Sequence, residues 1–149
     1  MHLPGVRWAL PQLFAVLGGG TVLFVVGLID ETRHLSVRLR VAVQVATAAA
    51  VACAGVRADL FVSSFGLVGE LAAGAITVGW IVFVTNTFNL LDNSDGQCAG
   101  VAAVTGLVFA GIALFLKQWF IAAMVFALVG ACVGYLRLNF PPARIFMGD

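Results

Sequence analysis

An all-α, polytopic membrane fold is what this sequence predicts, and three observations predict it. The 149 residues are 62% hydrophobic and only 10% charged, with a mean hydropathy of +1.08, whereas soluble domains run at roughly 45–50% apolar and about 25% charged. A chain of this size cannot hide that much apolar surface in a core of its own, so lipid must cover the rest. The apolar residues fall into five runs, each near the ~20 residues a tilted helix needs to cross the hydrocarbon. The acids and asparagines collect at the ends of those runs.

The first run is Trp8 to Ile29, with Gly18, Gly19 and Gly20 in its middle. Small residues in membrane helices most often permit close helix packing, and that is the role expected of these glycines. The second, Val37 to Val56, is rich in Ala and Val. From Arg57 to Glu70 the chain is too polar and too short to span, and a short hairpin or interfacial loop is expected near 57–70. The third run is Leu71 to Leu91, the fourth Cys98 to Leu116 and the fifth Gln118 to Leu136. Pro141 and Pro142 then stop the last helix and shape the turn before Asp149. The reading is of one integral membrane unit over residues 1–149.

Composition also excludes several classes. A formal charge of +1 with no basic patch proposes no nucleic-acid partner. Cys53, Cys98 and Cys132 lie far apart in apolar runs without a C-x-x-C pair, and are read as small buried hydrophobes. The N-terminus lacks the basic start and the small-residue cleavage site of a secretory signal.

Span counting gives the first functional inference. Asp30 follows span one, Asp92 and Asp95 follow span three, and Asp149 follows span five, so two crossings separate each group from the next. All three then emerge on one membrane face, in loops that also hold Arg33, Arg38, Arg40, Arg137 and Arg144, five of the eight basic residues. The Lys/Arg bias places that face in the cytoplasm. The same face collects Asp30, Glu31, Asp92, Asp95 and Asp149, five of the seven acids, which orientation does not require.

A carboxylate at the bilayer centre costs about 2.5–3.5 kcal/mol on insertion scales, so acids bordering spans are functional candidates. Asp and Asn offer the hard oxygen donors that Mg²⁺ prefers, together with substrate phosphate oxygens. Carboxylates held close together repel unless a cation or protons neutralise them. The neighbouring arginines suit diphosphate oxygens. Such a set points to phosphoryl transfer onto a lipid-borne acceptor, with catalysis resting on positioning and charge neutralisation.

Three motifs carry a resemblance: G-L-I-D-E at Gly27–Glu31, N-x-x-N-x-x-D-N-x-D-G at Asn86–Gly96, and N-F-P-P-A-R-I-F-M-G-D at Asn139–Asp149. In that order, and separated by those spans, they resemble the polyprenyl-phosphate N-acetylhexosamine-1-phosphate transferases. Within these the chain is most similar to the bacterial branch that moves GlcNAc-1-phosphate from UDP-GlcNAc to undecaprenyl or decaprenyl phosphate. The resemblance implies a Mg²⁺-dependent enzyme, with Mn²⁺ as a substitute, releasing UMP in the bacterial plasma membrane for cell-envelope polysaccharide. Its partners would be polyprenyl phosphate, a UDP-sugar and membrane lipids, with a homodimer allowed.

Carried over by position, the resemblance implies catalytic roles for Asp30, Asp92 and Asp95. Glu31, Asn86, Asn93 and Arg144 are then substrate-binding, and Asn89 and Asp149 are metal ligands. Glu31 stands where the family has a second Asp, and Asn93 where it has a glycine, a place in which Asn tolerates a left-handed turn. The family's pattern continues on either side, so a piece truncated at both ends is expected, without the histidine-bearing loop linked to sugar-nucleotide recognition. Other readings stay open from the residues alone. Asp30 can cap a helix end, Asn86 can be interhelical glue, and Arg40 can merely fix topology or meet lipid headgroups. Direct attack by the acceptor phosphate and a covalent aspartyl intermediate both suit these acids. A transporter fragment would instead hold its acids at mid-span on broken helices, with an internal repeat, and neither is visible.

Overall fold

The computed structural model describes residues 4–58 and 66–145, apart from the side chains of 4–9. All of the regular structure among them is helical: α1 (Pro4–Arg33), α2 (Val37–Cys53), α3 (Gly66–Leu91), α4 (Gln97–Phe115) and α5 (Trp119–Asn139). α1 from Leu10, α3, α4 and α5 are long and apolar enough to cross a membrane. At 17 residues, α2 rises about 25 Å, the short end of what a roughly 30 Å hydrocarbon layer accepts. This is a multi-pass membrane protein.

The helix bounds differ from the apolar runs in two instructive places. α1 continues through Asp30, Glu31 and Arg33, so the first acids ride on the helix's last turn instead of following it. Gly66–Glu70, the end of the hairpin expected near 57–70, is the start of α3. Residues 59–65 lie outside the described residues. The physical reason for the longer α3 is that backbone groups entering lipid must be paired within their own segment, and a helix does that whatever its glycines prefer.

Two compact units divide the chain, one reaching Thr87 and the other starting at Phe88, within α3. In the first, α1 and α2 form an antiparallel hairpin. A Cβ on Gly19 would lie 3.0 Å from Thr47 Cγ2 and 3.1 Å from Val51 Cγ2, while Gly18 and Gly20 face open space. One glycine of the three, then, serves the packing. α2 ends in a left-handed glycine cap: Gly55 has φ 98°, its N–H donates to Ala52 O, and Val56 N–H donates to Val51 O, the paired bonds of a Schellman turn. Thr77 ties the following segment to α3, its hydroxyl accepting from Ala58 N–H at 3.0 Å and donating to Ala73 O at 2.8 Å.

In the second unit α4 and α5 form another antiparallel hairpin across Lys117. This residue adopts φ 57°, with Lys117 N–H bonded to Leu114 O and Gln118 N–H to Ala113 O. The two helices meet where Gly106 lets Val129 approach. The buried apolar residues of both units, among those described, are alanines, two valines and Cys98, whereas Phe14, Phe24, Trp80, Phe83, Phe115 and Trp119 are exposed. Large groups outward and small ones between helices is the arrangement lipid favours, because acyl chains solvate Phe and Leu as well as a core does. Cys53, expected to be buried, is exposed at the end of α2, and all three cysteines are free thiols.

Candidate active site

In the second unit the chain leaves α3 at Leu91 and turns through Asp92-Asn93-Ser94-Asp95-Gly96 into α4. Two local devices make the turn. Asn93 Nδ2 donates back to Leu90 O at 2.7 Å, closing the helix end. The left-handed residue is Gly96 (φ 72°), which directly precedes Gln97. Asn93, a residue able to tolerate a left-handed turn, is not among the left-handed residues here.

Asn139, the last residue of α5, pins this turn from the other side. It is 3% exposed. Its Oδ1 accepts from Gly96 N–H at 2.8 Å and its Nδ2 donates to Ile145 O at 2.8 Å. One side chain thereby joins the second motif to the third. A further bond does the same, with Ala143 N–H donating to Asp95 Oδ2 at 3.0 Å. The Pro141–Pro142 peptide is cis, and Arg144 N–H returns to Leu138 O at 2.8 Å.

The result is a cleft of about 240 Å³ lined by Asp92, Asn93, Ser94, Asp95 and Asn139. Its donors are carboxylate, amide and hydroxyl oxygens, with no sulfur or imidazole, a set that suits hard cations such as Mg²⁺, Mn²⁺ or Ca²⁺ over softer metals. Among the described residues, no three Asp, Glu, His or Cys side chains gather as a ligand group. Asp149, expected as a metal ligand, lies outside the described residues. Asn89 sits on the last turn of α3, its carbonyl accepting from Asp92 N–H at 3.4 Å. Arg144 is exposed.

The first unit carries the remaining expected residues. Asp30 is buried, at 7% exposure. Its Oδ1 accepts from Leu35 N–H at 2.6 Å and its Oδ2 pairs with Arg40 Nη1 at 2.8 Å. Glu31, one residue on, is exposed. Asn86 donates to Gln44 Oε1 at 2.7 Å, from α3 to α2, and to Val82 O at 2.8 Å. That bond is the interhelical glue left open by the sequence. Sequence reasoning assigned no role to Asn139 although it opens the third motif. The signal that would have found it is a polar amide ending a membrane helix just before two prolines.

A multi-pass helical membrane protein with an oxygen-lined acidic cleft at its span ends is the class these features define. The chain belongs to glycosyl transferase family 4, whose sequence profile matches residues 13–149. It is 31% identical over 142 residues to a probable undecaprenyl-phosphate N-acetylglucosaminyl 1-phosphate transferase of Bacillus subtilis, covering 93% of this chain and 39% of that protein. It is 32% identical to a phospho-N-acetylmuramoyl-pentapeptide-transferase of Rubrobacter xylanophilus, covering 93% of this chain and 48% of that one. A second transferase of the latter kind, from Desulforudis audaxviator, is 47% identical over 74 residues, which is half of this chain and 22% of the relative. The chain therefore spans less than half the length of these relatives. No solved structure matches it significantly.

Proposed function

We propose that this chain carries the reacting face of an enzyme that transfers an N-acetylhexosamine-1-phosphate from a UDP-sugar to polyprenyl phosphate. The observation that supports this reading best is the pinning of the Asp92–Gly96 turn onto Asn139 and Ala143. Two motifs separated by a helical hairpin are bonded into one oxygen-lined cleft, in a chain of the right family. GlcNAc-1-phosphate is the proposed donor group, on the Bacillus relative's name. The muramoyl-pentapeptide relatives, one of them 32% identical over 93% of the chain, favour the phospho-MurNAc-pentapeptide donor as the second reading.

Mg²⁺, replaceable by Mn²⁺, would be held by Asp149 with Asn89. Bound there it would offset charge on the diphosphate. Asp92 and Asp95 act within the cleft and Asp30 on the polyprenyl-phosphate side, while Glu31, Asn93 and Arg144 orient substrates. Arg144 is a bidentate partner for phosphate oxygens. Asn86, bonded to Gln44, acts by holding α3 against α2. An acceptor phosphate oxygen forms the new bond to the β-phosphorus, the bond from that phosphorus to the bridging oxygen breaks, and UMP leaves. A phosphate already ionised needs little help from a base, so direct attack is preferred to an aspartyl intermediate. The face bearing these loops is cytoplasmic in this reading, in a bacterial plasma membrane.

The test is transfer from radiolabelled UDP-GlcNAc, and separately UDP-MurNAc-pentapeptide, in membranes carrying the full-length protein with Mg²⁺ or with EDTA. Asp92→Ala and Asp149→Ala are expected to lower lipid-linked product by about 100-fold or more. Undiminished product in both variants would sink the assignment, and the preferred donor decides between the two readings.

A further inference from the structure

The three-residue turn between α1 and α2 is closed by a clasp on Asp30. Its two oxygens are engaged from different directions, Oδ1 by Leu35 N–H at 2.6 Å and Oδ2 by Arg40 Nη1 at 2.8 Å. His34, with φ 46°, lets the chain reverse sharply enough to bring Leu35 into range. The pair is not a solvated surface contact, since the side chains are 27% and 8% exposed for Arg40 and Asp30.

The place of Arg40 is electrostatically odd. It sits at the start of α2 near Arg38, in a helix with no acid in its first turn. Cations at a helix N-terminus oppose the helix dipole and the unpaired N–H groups there. A carboxylate reaching over from α1 relieves that opposition, so Arg40 is held where it stands by Asp30 as much as it holds Asp30. Glu31, about 100° further round α1, is left exposed. Two adjacent acids are thus differently employed, one clamped and one open.

Resting on the transferase reading, we infer that Arg40 is a positioning residue for Asp30. It fixes the direction in which the carboxylate meets the polyprenyl-phosphate side of the reaction, and it is not itself a phosphate ligand. The planar guanidinium suits this better than an ammonium, because it fixes direction as well as charge. Misplacing an aligned group by an ångström costs on the order of 100-fold in rate, so a clasp of this kind acts on turnover more than on binding.

The experiment uses the full-length protein in membranes and compares Arg40→Lys, Arg40→Gln, Asp30→Asn and the Asp30→Asn/Arg40→Gln double variant. Arg40→Gln is expected to lower kcat by roughly 10–100-fold with KM for the UDP-sugar within about twofold of the parent. The double variant should be no worse than the poorer single one, as for residues acting as a unit. Arg40→Lys, which keeps the charge and folds, should retain the melting temperature yet lose several-fold in kcat. Parental kcat in Arg40→Lys and Arg40→Gln, or losses that multiply in the double variant, would overturn the inference. Absence of transfer by the parent protein would instead sink the transferase reading. The clasp is then judged by amide exchange at Leu35, which Arg40→Gln should accelerate, and unchanged exchange overturns it.

Discussion

Asn139 does at the scale of one residue what several contacts usually share. Its amide satisfies Gly96 N–H and Ile145 O together while almost wholly buried. Asn139→Ala leaves both groups without their partner, at about 1–3 kcal/mol for each one that water cannot reach. The expected outcome is a lower melting temperature in detergent and a loss of transfer activity in the full-length protein. Asn139→Asp, which keeps the acceptor for Gly96 but loses the donor to Ile145, should fall between. Equal activity in all three forms would show that the two motifs do not depend on this pin. Legibility in the sequence also divides at this scale. The acids stood out because a charge beside a span is costly whatever surrounds it. Asn139 and Arg40 did not, because their importance lies in partners 43 and 10 positions away. Gly96 was quoted within a motif, yet its left-handed φ emerged only with the backbone.

At the scale of elements, the α4–α5 hairpin makes two predictions. Lys117 occupies a left-handed helix-end position that costs an L-residue about 1–2 kcal/mol and costs glycine almost nothing. Lys117→Gly is therefore expected to stabilise the hairpin by about 1 kcal/mol, read as a higher SDS fraction at half-unfolding, and a lower one contradicts the left-handed turn at Lys117. Gly106 behaves oppositely. A Cβ there would lie 2.6 Å from Val129 Cγ2, so Gly106→Ala should cost about 1–3 kcal/mol through overpacking. A Gly106→Ala/Val129→Ala double variant, which clears the space again, should recover part of that loss. Helix existence was readable from hydropathy for all five segments. Helix ends were less so, since Gly66–Glu70 reads as a loop by its glycines and α1 outruns its apolar stretch by a full turn. Hydropathy reports where lipid is, while hydrogen bonding decides how far the helix goes on beyond it.

For the whole molecule, the expectation that matters is that the Asp30 turn and the Asp92–Gly96 turn share one side of the membrane. It rests on an even number of crossings between them, and α2, at 17 residues, is the crossing with least length to spare. Single cysteines at Glu31 and Asn93, in a full-length background with the native cysteines replaced, should label together with an impermeant maleimide only after the cytoplasmic side is exposed. Cysteines that label from opposite sides would overturn the expectation that the two acid groups share one membrane face. Family membership covers residues 13–149, and the three motifs had already pointed there. The choice of sugar had no such signal in these residues, whose expected chemistry is directed at phosphates and metal and not at the hexosamine.

The alanine-lined helix contacts bear on how such a protein can drift without losing its shape. No large side chain is fully buried among the described residues, so trimming residues one at a time deletes little that holds helices together. Harm comes instead from growth, as a methyl group at Gly106 or Gly19 already meets its neighbour. The lipid-facing Phe, Leu and Trp positions are free to exchange among apolar types, and the inner ones are free only to stay small. A random mutational record of this chain would be permissive on its greasy exterior and strict along narrow interior lines, the reverse of a water-soluble enzyme.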